Sequence, residues 1–150
     1  MKKIAIGCDH GGFEMKEQLV EHLRSGGYAV EDYGIYECKS VDYPVIAYKV
    51  ATAVASGKQE LGILVCGTGI GMSLAANKVK GIRAAACSEL FSAKFTRLHN
   101  NSNILCLGGR VIGIETAKMM VDAFVTTEFE GGRHAKRVEM IEQIEQGKEV

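Results

Sequence analysis

Residues Leu61–Gly71, LGILVCGTGIG, decide how this chain is read. A continuous apolar run ends in Cys66 and opens at once into a glycine-rich turn. The β-branched centre of that run, Ile63–Val65, suits a strand covered on both faces, as in a parallel sheet. Gly67, Gly69 and Gly71 leave the following backbone bare, so its N–H groups can come close to an anion. Cys66 therefore falls between a buried strand and the expected start of a helix, a position that favours a thiolate. A nucleophile or base next to a set of amides points to chemistry at a carbonyl.

Working outward, apolar runs at Lys3–Cys8, Tyr28–Tyr33, Arg83–Cys87 and Asn103–Leu107 read as further strands. Helical periodicity lies between them. Phe13, Lys16, Leu19, Val20 and Leu23 share one face before Gly26-Gly27, and Pro44 opens a helix that ends at Gly57. Shorter helices are expected over 71–78 and 90–99. A fifth carries Ile114, Ala117, Met120, Val121 and Phe124, and a sixth carries Val138, Ile141 and Ile144. Alternating strands and helices define an α/β fold: a single-domain, three-layer αβα sandwich over residues 1–150, built on a Rossmann-like, doubly wound, parallel five-stranded sheet. In such folds ligands sit beyond the carboxyl ends of the strands. That rule selects Asp9-His10, Cys66-Gly67-Thr68-Gly69, Ser88-Glu89 and Gly108-Gly109-Arg110.

Composition narrows the partners. Eighteen basic and eighteen acidic side chains cancel, so no overall field recruits nucleic acid or an anionic membrane. The N-terminus MKKIAIGCDH lacks the apolar core of a secretion signal, and no stretch is long enough for a membrane span. The five cysteines form an odd set without a framework spacing, which indicates reduced thiols and a cytoplasmic protein. The four histidines, His10, His22, His99 and His134, show no zinc-type spacing, so no metal is expected. The glycine loop departs from the dinucleotide fingerprint: Met72 stands where a last glycine belongs, although Glu89 lies about twenty residues on.

Several polar groups suit a small anionic substrate. Asp9 can fix a hydroxyl or merely cap a helix, and His10 can bind phosphate or move a proton. His99-Asn100-Asn101 ends a helix with hydroxyl-binding side chains. Arg133 and Arg137 are four apart near the start of the sixth helix and follow Gly131-Gly132, an arrangement suited to a phosphate dianion.

Taken in order, GCDHGGFEMK at 7–16, DYP at 42–44, CGTGIGMSLAANK at 66–78, GIRAA at 81–85, HNNSNIL at 99–105, GGRVIG at 108–113 and EGGRHAKRV at 130–138 resemble the ribose- and galactose-phosphate isomerases, in particular the type B ribose-5-phosphate class. The resemblance implies aldose–ketose isomerisation of a phosphorylated pentose through an enediolate, without metal or cofactor. It implies that Cys66 moves the proton between C2 and C1 with support from Thr68, while the amides of Gly67, Gly69, Ile70 and Gly71 hold the oxyanion. It gives His99 a part in opening the sugar ring and puts Asp9, Tyr43 and Asn100 around the hydroxyls. His10, Arg110, Arg133 and Arg137 match phosphate-binding positions. It further implies a homodimer or tetramer whose site is shared, with His99, Asn100 and Arg110 coming from the neighbour. Asp9, Cys66, His99 and Arg137 in one chain favour the pentose enzyme over an allose or galactose 6-phosphate isomerase. A non-catalytic sugar-phosphate or nucleotide sensor would need the arginines and the loop but no thiol at Cys66. No role for Cys38 follows from the sequence.

Overall fold

The computed structural model describes residues 1–150. It contains five strands, β1 Lys3–Cys8, β2 Ala29–Asp32, β3 Leu61–Cys66, β4 Ala84–Ala86 and β5 Ile104–Gly108. Six α-helices join and follow them: α1 Phe13–Ser25, α2 Tyr43–Ala55, α3 Ile70–Ala76, α4 Leu90–Asn100, α5 Ile114–Thr126 and α6 Arg133–Glu145. The strands form one all-parallel sheet in the order β2-β1-β3-β5-β4. Helices α2 and α3 pack together on one face, and α1, α5 and α4 line the other, with α6 laid against α4. This is the expected αβα sandwich.

Both faces of the sheet are covered, which explains why β1, β3 and β5 are apolar without alternation. Their side chains and the inner helix faces make one core of 32 buried residues. Lys16 is the exception on the buried stripe of α1: it is 0% exposed. Its Nζ bonds Asp32 Oδ2 at 2.7 Å, Glu17 Oε1 at 2.6 Å and the Ile35 carbonyl at 2.8 Å, so a buried charge is compensated by partners.

The strand order also locates the ligand crevice. From β1 the chain leaves toward β2 on one side, and from β3 it leaves toward β4 on the other. Connections departing in opposite directions open a gap above the carboxyl ends of β1 and β3, the topological switch point. Asp9 directly follows β1 and Cys66 ends β3, so both reach that gap. No helix is long and apolar enough to cross a membrane.

Candidate active site

Three strand-end turns interlock above the sheet, backbone against backbone. A Cβ on Gly109 would stand 2.5 Å from the Gly11 carbonyl oxygen. Gly69 has φ +81° and lies against the Cys106 and Leu107 backbone. Side chains at these positions would force the turns apart, so the glycines set the spacing of the site as well as baring its amides. Gly109 N–H donates to the Cys66 carbonyl at 2.8 Å, and Arg110 N–H to the Gly67 carbonyl at 3.1 Å.

Cys66 is buried at the end of β3, and Gly69 N–H donates to its Sγ at 3.1 Å. Burial pushes three other thiols up: Cys8 is raised to about 12, Cys87 to about 11, and Cys106 well above the ordinary range. Those three are packing residues. The N–H groups of Gly67, Thr68 and Gly71 make no hydrogen bond within the chain and remain free for an oxyanion. Thr68 is exposed, with Oγ1 accepting from Ile70 N–H at 3.2 Å.

The surrounding groups close on this loop. Asp9 is buried; Oδ1 accepts from Gly11 N–H at 2.8 Å, while its other oxygen makes no hydrogen bond within the chain. It thus caps the short 3-10 turn His10–Gly12 and also offers an acceptor. His10 is exposed, its Nδ1 3.5 Å from Val41 N, and exposed Cys38 lies 4.0 Å from its carbonyl. Tyr43 covers Gly71 so closely that a Cβ there would meet its ring at 2.7 Å. The Arg110 guanidinium lies over Gly67, with Nη1 3.4 Å from where a Cβ would be. Arg110 therefore sits at the Cys66 loop of its own chain. This corrects the expectation that it comes from the neighbour: the turn after β5 is bonded directly to the loop after β3.

The remaining residues gather elsewhere. His99 and Asn100 end α4, which runs back from the carboxyl end of β4 to the start of β5. The Asn100 carbonyl accepts from Arg83 just before β4, and the Asn103 carbonyl accepts from Gly62 N–H near the start of β3. His99 is thus at the amino ends of the strands, whereas Cys66 is at the carboxyl ends. β3 alone separates those levels by roughly 16 Å at ~3.3 Å per residue. Arg133, His134 and Arg137 begin α6 beside His99, whose ring stacks on that of His134 with centroids 4.0 Å apart and planes 10° from parallel. Desolvation, then the nearby charges of His99 and Arg133, lower the His134 pKa. The candidate residues therefore fall into two clusters: Asp9, His10, Tyr43, Cys66–Gly71 and Arg110 at one end, and His99, Asn100, Arg133 and Arg137 at the other.

Two features differ from the sequence reading. Glu89 has no ligand-facing role: both its oxygens accept from Ser92 N–H, capping α4 and lowering its pKa, which removes the one acidic residue supporting a dinucleotide site. His99 and His134, read as unpaired, converge with Glu130, their ligand-type atoms lying within 4.8 Å of one another. Thirty-five residues separate the two histidines, beyond any local spacing rule. Near-parallel stacked imidazoles cannot both aim in-plane lone pairs at one ion at the ~2.1 Å such bonds need, so this trio suits proton chemistry better than zinc.

A parallel αβα fold with a thiol, free amides and separate cationic groups suits an enzyme of small phosphorylated carbonyl compounds. The family model for Ribose/Galactose Isomerase matches residues 4–141, and the chain belongs to that family. It is 54% identical over 146 residues to ribose-5-phosphate isomerase B of Escherichia coli strain K12, covering 97% of this chain and 98% of that one. It is 46% identical to the D-erythrulose-4-phosphate isomerase of Pectobacterium atrosepticum, covering 94% and 93%. The structure of Clostridium thermocellum ribose-5-phosphate isomerase B superposes with a TM-score of 0.95 at 50% identity, covering 98% and 99%.

Proposed function

We propose that this chain, as one domain over residues 1–150, interconverts ribose 5-phosphate and ribulose 5-phosphate, with Cys66 as the base at carbon. The observation that carries this is Cys66 Sγ, held 3.1 Å from Gly69 N–H beside amides that nothing in the chain engages. The thiolate takes the C2 proton; the electron pair forms C1=C2, and O1 takes up the charge under the free amides of the Gly67–Gly71 loop. The Sγ–H then returns its proton to C1, while the O2 hydroxyl gives up its own to O1, leaving the 2-ketose. Thr68 supports the transfer between the oxygens from the exposed side of the loop. No co-reactant enters this balance, and no cofactor is required.

Because Cys66 and His99 lie at opposite ends of the sheet, the complete site in this reading needs two copies. The edge of β4 offers a surface for them. β4 pairs only with β5, and beside it a groove of about 290 Å³ is lined by Ala85, Cys87, Phe91, Phe95 and His99. Phe91 is 67% exposed there, an apolar side chain better buried. A twofold contact across this edge is isologous and antiparallel, so it brings the amino end of one sheet level with the carboxyl end of the other. His99 and Asn100 of one copy then serve Cys66 of its partner. Phosphate is held by His10 and Arg110 from the thiol side and by Arg133 and Arg137 from the other. Asp9, Tyr43 and Asn100 bind hydroxyls, and His99 opens the ring.

Direct assays on ribose 5-phosphate, allose 6-phosphate and galactose 6-phosphate test the substrate. Ribose 5-phosphate is expected to give the highest kcat/KM, and a hexose phosphate ahead of it would overturn the assignment. Arg137→Ala tests the phosphate role. Losing one charged donor to a dianion is worth ~2 kcal/mol, so KM should rise roughly 30-fold while kcat stays within about threefold. An unaltered KM would remove Arg137 from the phosphate site.

A further inference from the structure

Glu130 has no part in the reading above, yet its Oε2 stands 3.6 Å from His99 Nε2. The placement is built within one subunit. Glu130 N–H donates to the carbonyl of Leu98, the residue before His99, at 3.0 Å, which ties the carboxylate's backbone to the end of α4. His99 is fixed as well: His134 covers one face, and the edge contact with Phe95 has centroids 5.0 Å apart at 81°. Both side chains stay partly open, at 34% for His99 and 57% for Glu130, so substrate can reach the pair. His134 is buried beside them, and desolvation lowers its pKa.

Opening a furanose demands two proton movements at neighbouring oxygens. The anomeric O1–H must lose a proton as the C1–O4 bond breaks, and O4 must gain one. A carboxylate and an imidazolium side by side meet both needs at once. Resting on the reading of His99 as the ring-opening group, we propose that Glu130 is its catalytic base partner. Glu130 takes the O1 proton, C1=O1 forms, and the electron pair of the broken C1–O4 bond goes to O4. O4 takes the Nε2 proton of the His99 imidazolium. The proton on Glu130 then crosses to the vacated Nε2 and restores the pair without any co-reactant.

Ring opening can be isolated from isomerisation. The Cys66→Ala enzyme keeps the His99–Glu130 pair but lacks the base at carbon, so it should still speed exchange between the α and β anomers of ribose 5-phosphate. Magnetisation-transfer NMR measures that exchange, and calorimetry measures affinity. In the Cys66→Ala background, Glu130→Gln should slow enzyme-dependent exchange about 100-fold, within the range of a lost general base, with affinity unchanged within twofold. Exchange as fast as in the Cys66→Ala parent overturns the role of Glu130 and leaves that of His99 standing. A matching loss of affinity assigns Glu130 to binding and also overturns it. If Cys66→Ala itself does not accelerate exchange above buffer, the ring-opening reading of the His99 half-site fails, and the proposal with it.

Discussion

Cys66→Ala is expected to lower kcat for ribose 5-phosphate by about 10⁴-fold while leaving its Kd within a factor of about two. The size follows from what is lost. The substituted enzyme keeps its free amides, its arginines and the His99–Glu130 pair, so on the proposed reading binding and part of the electrostatic stabilisation survive. In the proposed mechanism only the atom that removes the C2 proton is gone. No neighbouring thiol can substitute: Cys8 and Cys106 are wholly buried, and desolvation holds both as thiols. The small change of volume at a 5% exposed strand end should not disturb the sheet. A coupled assay for ribulose 5-phosphate and calorimetry with ribose 5-phosphate read the two quantities separately. Loss of both together would mean that Cys66 serves packing. Retention of both would mean that a different group is the base.

Much of the fold was legible in the sequence because its signals are local. β1 and β3 have the limits expected from their apolar runs, which glycine and polar residues bound on both sides. β4 is shorter than Arg83–Cys87 because only Ala84–Ala86 pair with β5; at its start the Asn77 side chain exchanges hydrogen bonds with Ala84 N–H and carbonyl, and the Arg83 side chain turns to the carbonyls after α4. Lys16 shows the limit of periodicity. Spacing places it on the inner face of α1, but its burial depends on Asp32 and the Ile35 carbonyl, sixteen and nineteen residues away. The strand-end groups were legible for a related reason, since the topology itself selects them. The pairing of His99 with His134 and Glu130 was not, because it forms through packing of α6 on α4. One clue was present all along. In an alternating parallel fold a helix ends where the next strand begins, so a residue closing α4 cannot share a crevice with one closing β3 in the same chain.

That separation yields a second large effect. Cys66→Ala and His99→Ala chains should each be nearly inactive alone, the first for want of the carbon base and the second for want of ring opening. Unfolded together and refolded as an equal mixture, they should regain activity. A mixed dimer holds one composite site with both substitutions and one with neither. Random pairing makes about half of the dimers mixed, so about a quarter of all sites should be intact, and the mixture should recover roughly a quarter of the wild-type rate. Differently charged tags on the two chains allow the mixed dimer to be isolated, and its rate should approach half. The prediction is strict because Cys66 and His99 lie at opposite ends of the sheet, levels that the length of β3 puts roughly 16 Å apart, far beyond the ~3 Å of proton transfer. Verified mixed dimers with no activity above the parents would mean that each chain works alone, and that Cys66 and His99 do not act on the same substrate molecule.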